Sequence, residues 1–340
     1  MSQPAKQAAA HELSSALQAA LDTYFGRQRT IIALERRPAP YRSSFSLEEL
    51  DVVLEDETRL PIIYKDLSPR ALLPEARDAK PGFLHDPQRE IDTYRDILAP
   101  QRLGSPLCYG AVVDPQGERF WLFLERVDGC PLWQVGEIAV WQEAARWLAI
   151  LHTRFAGRKG LATARLLRHD ADYYRLWITR AQAFAAAGKQ QIAWLAGRYD
   201  DVVERLTALP TTFIHGEFYP SNILIDDKHE KLRVCPLDWE MVAVGPGLVD
   251  LAALTAGTWS ADDRDAMVSA YQKTMAAVDG WSAADDFGSA LDLCHLHLAV
   301  QWLGWSPNWT PPPEHAHGWL EEAMQLAEKL GLRALTWGRG

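Results

Sequence analysis

Within residues 213–240 the chain carries a carboxylate, Glu217, five positions ahead of an amide, Asn222, and a second acid further on at Asp238. Acid-then-amide at this spacing is the arrangement of phosphoryl-transfer loops, where the acid accepts the proton of an attacking hydroxyl. The apolar runs 223–226 and 231–237, parted by the polar stretch 227–230, predict a β-hairpin. Antiparallel strands return the chain to its starting end, so Asn222 and Asp238 are expected as neighbours. Two oxygen-bearing side chains facing one volume suit Mg²⁺, a hard cation that completes its shell with waters and substrate phosphates.

The order of motifs extends further, through Gly245-Pro246-Gly247 to Asp250-Leu251-Ala252. His215-Gly216-Glu217, Asn222, Asp238-Trp239-Glu240 and Asp250-Leu251-Ala252 together resemble the aminoglycoside phosphotransferase and choline kinase family, kinase-like proteins acting on small molecules. That resemblance implies an α+β, protein-kinase-like bilobal fold, with a small antiparallel-sheet N-lobe over residues 1–127 and a larger, mainly helical C-lobe over 128–340. It implies Glu217 as catalytic base, Asn222 and Asp238 as metal ligands, Asp250 as an acid bracing the catalytic loop and His215 as support for it. Two positions depart from the family pattern: Glu217 stands where Asp is usual, and Pro246-Gly247 where Asp-Pro is usual.

Such a centre needs elements that hold a nucleotide. Strand-like segments at 31–34, 45–54, 60–64, 107–113 and 120–127 predict a small antiparallel sheet, preceded by an amphipathic helix over 11–25 with Leu13, Leu17, Ala20 and Leu21 on one face. Lys65 ends the third segment and is placed to reach the α- and β-phosphates of ATP if an acid anchors it. Glu90 is the expected anchor, on a helix that Asp86 caps and Pro87 opens. The loop after the first strand has no glycine signature, but Ser43, Ser44 and Ser46 offer hydroxyl and backbone N–H donors to phosphate oxygens. The charged, glycine-terminated end of 120–129 reads as a hinge, with backbone groups near Glu125 and Val127 as candidates for an adenine edge.

With 45 acidic and 35 basic residues, the net charge of −10 argues against general nucleic-acid binding. No apolar run approaches the roughly 18–20 residues of a membrane span, and no signal pattern opens the chain, so a cytoplasmic location is expected. Cys108, Cys130, Cys235 and Cys294 are scattered, predicting buried free thiols rather than a disulfide framework or zinc site. A transition-metal site on His295 and His297 or on His315 and His317 is not expected, and no G-x-S-x-G elbow supports a hydrolase.

The second half reads as helical: 137–155 with Trp141, Ala144, Leu148 and His152 on one face, two helices within 170–208 divided near Gly188, then 248–256, 261–278, 287–303 and 314–330 after the Pro311–Pro313 break. His152 is expected as a hydrogen-bonded core residue. Trp302, Trp305, Trp309 and Trp319 are expected mainly in the core, with an acceptor pocket as the alternative. The acids at 262, 263, 265, 285 and 286 are expected at helix starts.

The activity that follows is ATP- and Mg-dependent transfer of the γ-phosphoryl group to a hydroxyl of a small molecule such as an aminoglycoside, a choline-like alcohol or another natural product. A catalytically silent kinase-like binding domain is the alternative, and adenylyl transfer from the same site a third reading.

Overall fold

Segments rich in β-branched, aromatic and other apolar side chains within 31–66 and 107–125 form five strands: β1 (Ile31–Pro38), β2 (Leu47–Leu54), β3 (Arg59–Asp66), β4 (Cys108–Asp114) and β5 (Arg119–Glu125). The structure, a computed structural model, describes residues 3–40, 44–162, 164–184, 188–228, 230–277, 286–306 and 317–332. The chain divides into two compact units, one made of residues 1–78, 85–129 and 226–240, the other of 79–84, 130–225 and 241–340.

In the first unit the five strands form an antiparallel sheet in the order β1-β2-β3-β5-β4. Its register sets Leu50 opposite Ile62, and Lys65 opposite both Leu47 and Leu122. The inward residues Leu50, Val52, Leu54, Ile62, Tyr64 and Phe123 form one apolar cluster with Leu13, Leu17 and Leu21 of the first helix, α1 (Gln3–Phe25). These leucines recur every four residues and therefore share the face that covers the sheet. α1 crosses β4 at Gly110, whose φ is +152° and where an added Cβ would stand 2.7 Å from the Cβ of Ala20. A glycine there permits both the backbone twist and the close approach. The Glu90 helix, Pro87–Asp92, begins as expected, with the Asp86 carboxylate accepting from the N–H of Gln88.

The second unit is helical, with Ile138–Phe155, Leu248–Thr255, Ala261–Ala276, Phe287–Leu303 and Trp319–Lys329 all close to expectation; the Pro311–Pro313 break and the first residues expected in the last helix lie outside the described residues. Between 170 and 208 three helices form instead of two, Ala171–Phe184, Lys189–Ala196 and Tyr199–Thr207. The unforeseen break is at Gly197-Arg198, where the cap N–H of Gly197 turns back to the carbonyls of Ala193 and Leu195. Two further features were too short to announce themselves by periodicity. Cys130–Pro131 pairs antiparallel with Ile223–Asp226, and Ala243–Pro246 lies between Thr211–Ile214 and Leu167–Arg168. The expected strand pair around 227–230 is present as Ile223–Asp226 and Arg233–Pro236.

Among the described residues no helix is long and apolar enough to cross a membrane. The four cysteines are free thiols, but only Cys235 and Cys294 are buried; Cys130 is exposed, because its strand is a two-residue element at the surface. The Asp286 and Ser260 side chains cap helix starts, and Asp262 and Asp263 fall in the first turn after Ser260, as expected of these acids; Asp285 lies outside the described residues.

The core of this unit makes its stability acid-sensitive. His295 faces Thr255 and His297 faces Tyr199, on separate sides of one helix. Burial holds both imidazoles neutral, lowering each to about 3, and pushes His169 down as well. The unfolded chain binds these protons below about 6.5 and the folded chain only near 3, so in that window the unfolded state holds more protons and stability falls as pH falls. Each of His295 and His297 is expected to contribute a slope of about 1.4 kcal/mol per pH unit. Urea unfolding at pH 7.5, 6 and 5 measures it, and because His169 contributes in the same direction, His297→Gln should remove about a third of the slope that the three buried histidines supply; a flat profile would refute the account.

Candidate active site

Lys65 lies in β3 with its side chain only 5% exposed, and an ammonium so placed requires counter-charge. Glu90 supplies it at 2.7 Å and Asp238 at 2.6 Å. Burial alone would lower the lysine; Asp238 first, then Glu90 and Glu240, hold it above its ordinary value, so it stays charged. Burial pushes the Glu90 carboxyl up to about 7 against the pull of Lys65, since one ammonium is shared with Asp238. All three residues belong to the first unit, and the structure joins them as the sequence pattern anticipated for Lys65 and Glu90.

Asp238 has φ +60°, a left-handed conformation uncommon for a residue with a side chain. Strain of this kind persists where surrounding contacts over-determine it, and it collects at functional sites. The contacts here are the Lys65 ammonium and the neighbouring Glu240, whose carbonyl accepts from Arg89 Nη1 at 3.0 Å and whose carboxylate accepts from the Ser44 hydroxyl at 3.2 Å. Ser44 thus ties the β1–β2 connection to the segment that carries Asp238. Ser46 lies in the same connection, while Ser43 falls outside the described residues.

At the hinge the geometry restricts the sequence reading. The Glu125 N–H donates to the Leu107 carbonyl at 2.8 Å, and its carboxylate takes both Arg233 Nη1 and Nη2 at 2.7 Å. Its N–H is therefore committed within the sheet and is not offered to an adenine edge. Arg233 was not singled out from sequence, because its partner lies 108 residues away.

In the second unit the loop from His215 to Asn222 hangs from Asp250, which is fully buried. The Asp250 carboxylate accepts from the N–H of His215 at 2.7 Å and of Gly216 at 2.8 Å, and meets His152 Nε2 at 3.2 Å. His152 Nδ1 in turn meets the Tyr271 hydroxyl at 2.9 Å. The role of brace given to Asp250 and the hydrogen-bonded burial expected of His152 are thus one network, to which Tyr271 is an addition the sequence did not flag. Gly216 turns the loop at φ +84°, where an added Cβ would stand 2.2 Å from the Met241 carbonyl oxygen. Beyond it, His215 Nδ1 accepts from the Glu217 N–H at 3.3 Å, and Asn222 Nδ2 donates to the Glu217 carbonyl at 3.0 Å. The local spacing from 217 to 222 is therefore a closed turn.

A buried strand Lys held by a helix Glu and by a downstream Asp, with a separate loop of acid and amide hung from a buried Asp, is the equipment of phosphoryl transfer. Residues 67–287 match the sequence model of the phosphotransferase enzyme family, about two thirds of the chain. This chain belongs to the phosphotransferase enzyme family. The chain shares a kinase-like fold with solved structures of low identity. A choline kinase from Cryptosporidium parvum Iowa II superposes with a TM-score of 0.62 at 13% identity, covering 94% of this chain and 96% of that one. A microcompartment-associated aminopropanol kinase gives a TM-score of 0.58 at 15% identity, covering 87% and 89%. An aminoglycoside phosphotransferase, APH(3'')-Id of Streptomyces rimosus ATCC10970, solved with ADP and streptomycin, gives 0.50 at 18% identity, covering 80% and 93%. No curated protein sequence matches the chain.

The expected aromatic cluster of the phosphotransferase is divided. Trp305 stacks on Trp177 at 5.7 Å, Trp302 stacks on Trp319 at 5.2 Å, and Trp309 lies outside the described residues, as does His315. A pocket of about 230 Å³ opens beside the loop of residues 215–222, walled by Tyr219 and Ser221 together with Trp133, Trp141, Trp259 and Trp319. Of these tryptophans, sequence reading had pointed only to Trp319, since the others come from three separate elements.

Proposed function

We propose that the protein is a small-molecule kinase that moves the γ-phosphoryl group of ATP to a hydroxyl of its acceptor. The carrying observation is the buried Lys65–Glu90 pair with Asp238 on the same ammonium. Lys65 orients the α- and β-phosphates, and Glu90 keeps its ammonium from swinging away. Backbone groups at Glu125 and Val127 meet the adenine edge, and the connection bearing Ser43, Ser44 and Ser46 covers the phosphates. Glu217 accepts the proton of the acceptor hydroxyl as its oxygen bonds to the γ-phosphorus and the bond to the bridging oxygen breaks, releasing ADP. His215 and Asp250 hold that loop in place.

Asp238 and Asn222 fit a magnesium ion by donor chemistry. Asn222 commits its Nδ2 to the Glu217 carbonyl, so its Oδ1 would be the ligating atom, and Asp238 would offer a carboxylate. Glu90 and Asp238 draw on one ammonium. When bound there, the ion would neutralise phosphate charge in the transition state. The named substrates of the fold's relatives, choline, aminopropanol and streptomycin, all carry a hydroxyl, which favours an alcohol acceptor here.

The test is nucleotide product analysis with hydroxyl-bearing acceptors, wild type against Asp238→Asn. ADP release in the wild type alone supports the reading. Pyrophosphate release would replace it with adenylyl transfer, and no turnover with retained nucleotide binding would favour a silent binding domain.

A further inference from the structure

The pocket beside the catalytic loop restricts what the acceptor can be. Its floor includes Tyr219 and Ser221, two and four residues past Glu217, so a ligand seated there lies against the loop that carries the base. Its volume of about 230 Å³ is below the roughly 300–1,000 Å³ of pockets that enclose drug-sized molecules. Among the described lining residues there is no Asp, Glu, Lys or Arg. A polyammonium acceptor would leave its charges without a carboxylate partner there.

The indole N–H groups of the wall separate the remaining possibilities. Trp141 donates to the Val135 carbonyl at 2.9 Å and Trp259 to the Ala256 carbonyl at 3.1 Å, so both present ring surface only. Trp319 is fixed by its stack on Trp302 and by an edge contact with His317 at 4.7 Å, and His317 is paired with Glu322. Yet the Trp319 N–H is buried and has no acceptor among the described residues. A buried donor left without a partner is costly, and a ligand oxygen would satisfy it. A quaternary ammonium head would find π faces here but has no lone pair for that N–H to bond, and the one oxygen of choline is the hydroxyl that must meet the phosphate. From this we infer that the acceptor is a compact, uncharged, planar alcohol that also bears a carbonyl or ring oxygen, stacked between indoles and hydrogen-bonded by Trp319. This inference rests on the phosphotransferase reading above.

Four probes test it: 7-hydroxycoumarin, 2-naphthol as a bicyclic alcohol without the carbonyl, choline and kanamycin. Binding is measured by equilibrium dialysis without nucleotide, and turnover by ADP release. 7-Hydroxycoumarin is expected to bind best and to be turned over with the highest kcat/KM. Trp319→Phe keeps the ring stack and removes the N–H, so it should weaken 7-hydroxycoumarin roughly three- to tenfold more than it weakens 2-naphthol. Should that variant fail to fold, Trp133→Leu, at a tryptophan that is 47% exposed, should weaken both bicyclic probes relative to wild type. Preference for choline or kanamycin, no binding of 7-hydroxycoumarin, or equal losses for both bicyclic probes in Trp319→Phe would overturn the inference. Binding of 7-hydroxycoumarin with no ADP released from any probe would support the pocket assignment and count against phosphoryl transfer.

Discussion

Asp238→Asn is expected to lower kcat by about 10²–10³-fold while the protein still folds, the range seen when one preorganised electrostatic partner of a transition state is removed. Asparagine tolerates the φ of +60° at this position about as well as aspartate, so the backbone need not move. What changes is charge. The amide is a poorer ligand for a divalent cation, and Lys65 is left with Glu90 as its close carboxylate partner. Because Asp238 is among the groups that raise Glu90, its neutralisation also brings the Glu90 carboxyl down from about 7. The ammonium should therefore remain anchored, which separates loss of the cation from collapse of the lysine pair. ADP release over a magnesium titration checks the rate. Calorimetry of ATP binding with and without magnesium checks the cause, since the magnesium-dependent heat should vanish in the variant. Equal turnover in both proteins would remove Asp238 from the reaction.

The largest effect on stability is expected at a residue that touches no substrate. Asp250→Ala leaves the N–H groups of His215 and Gly216 and the Nε2 of His152 without their acceptor, all in the interior. At about 1–3 kcal/mol for each stranded group, with part recovered by relaxation, the loss should be about 3–6 kcal/mol. Tm should then fall by roughly 6–24 °C, at a rate of about 2–4 °C per kcal/mol. Tyr271→Phe removes only the outer hydrogen bond of the same network and should cost about 0.5–1.5 kcal/mol. Thermal unfolding of the two variants measures the ratio. Similar, small losses in both would show that the loop is held by packing and not by the buried carboxylate.

Much of the candidate site was legible because its contacts are local or set by a repeating pattern. The turn from Glu217 to Asn222 closes on itself within five residues, as the hydrogen bond from Asn222 Nδ2 to the Glu217 carbonyl records. Lys65 and Glu90 could be paired because each sits at a defined point of a regular element, the end of a strand and the first turn of a capped helix. The aromatic wall was not legible. Trp133, Trp141 and Trp259 come from a short turn, a long helix and a loop, and only packing brings them to one pocket.

By itself, then, the order of residues determined the five-stranded sheet with its covering helix, the helical character of the second half, and the family to which the motifs belong. Apolar spacing and capping act within one element, and both can be read along a line. Tertiary structure alone decided that Arg233 takes up the Glu125 carboxylate, that Tyr271 completes the brace behind Asp250, and that the Trp319 N–H is left without a partner among the described residues. Those outcomes depend on which side chains meet across separations of about a hundred residues, and on which polar atoms find partners when water is excluded. Neither quantity has a period, so neither can be counted off a sequence.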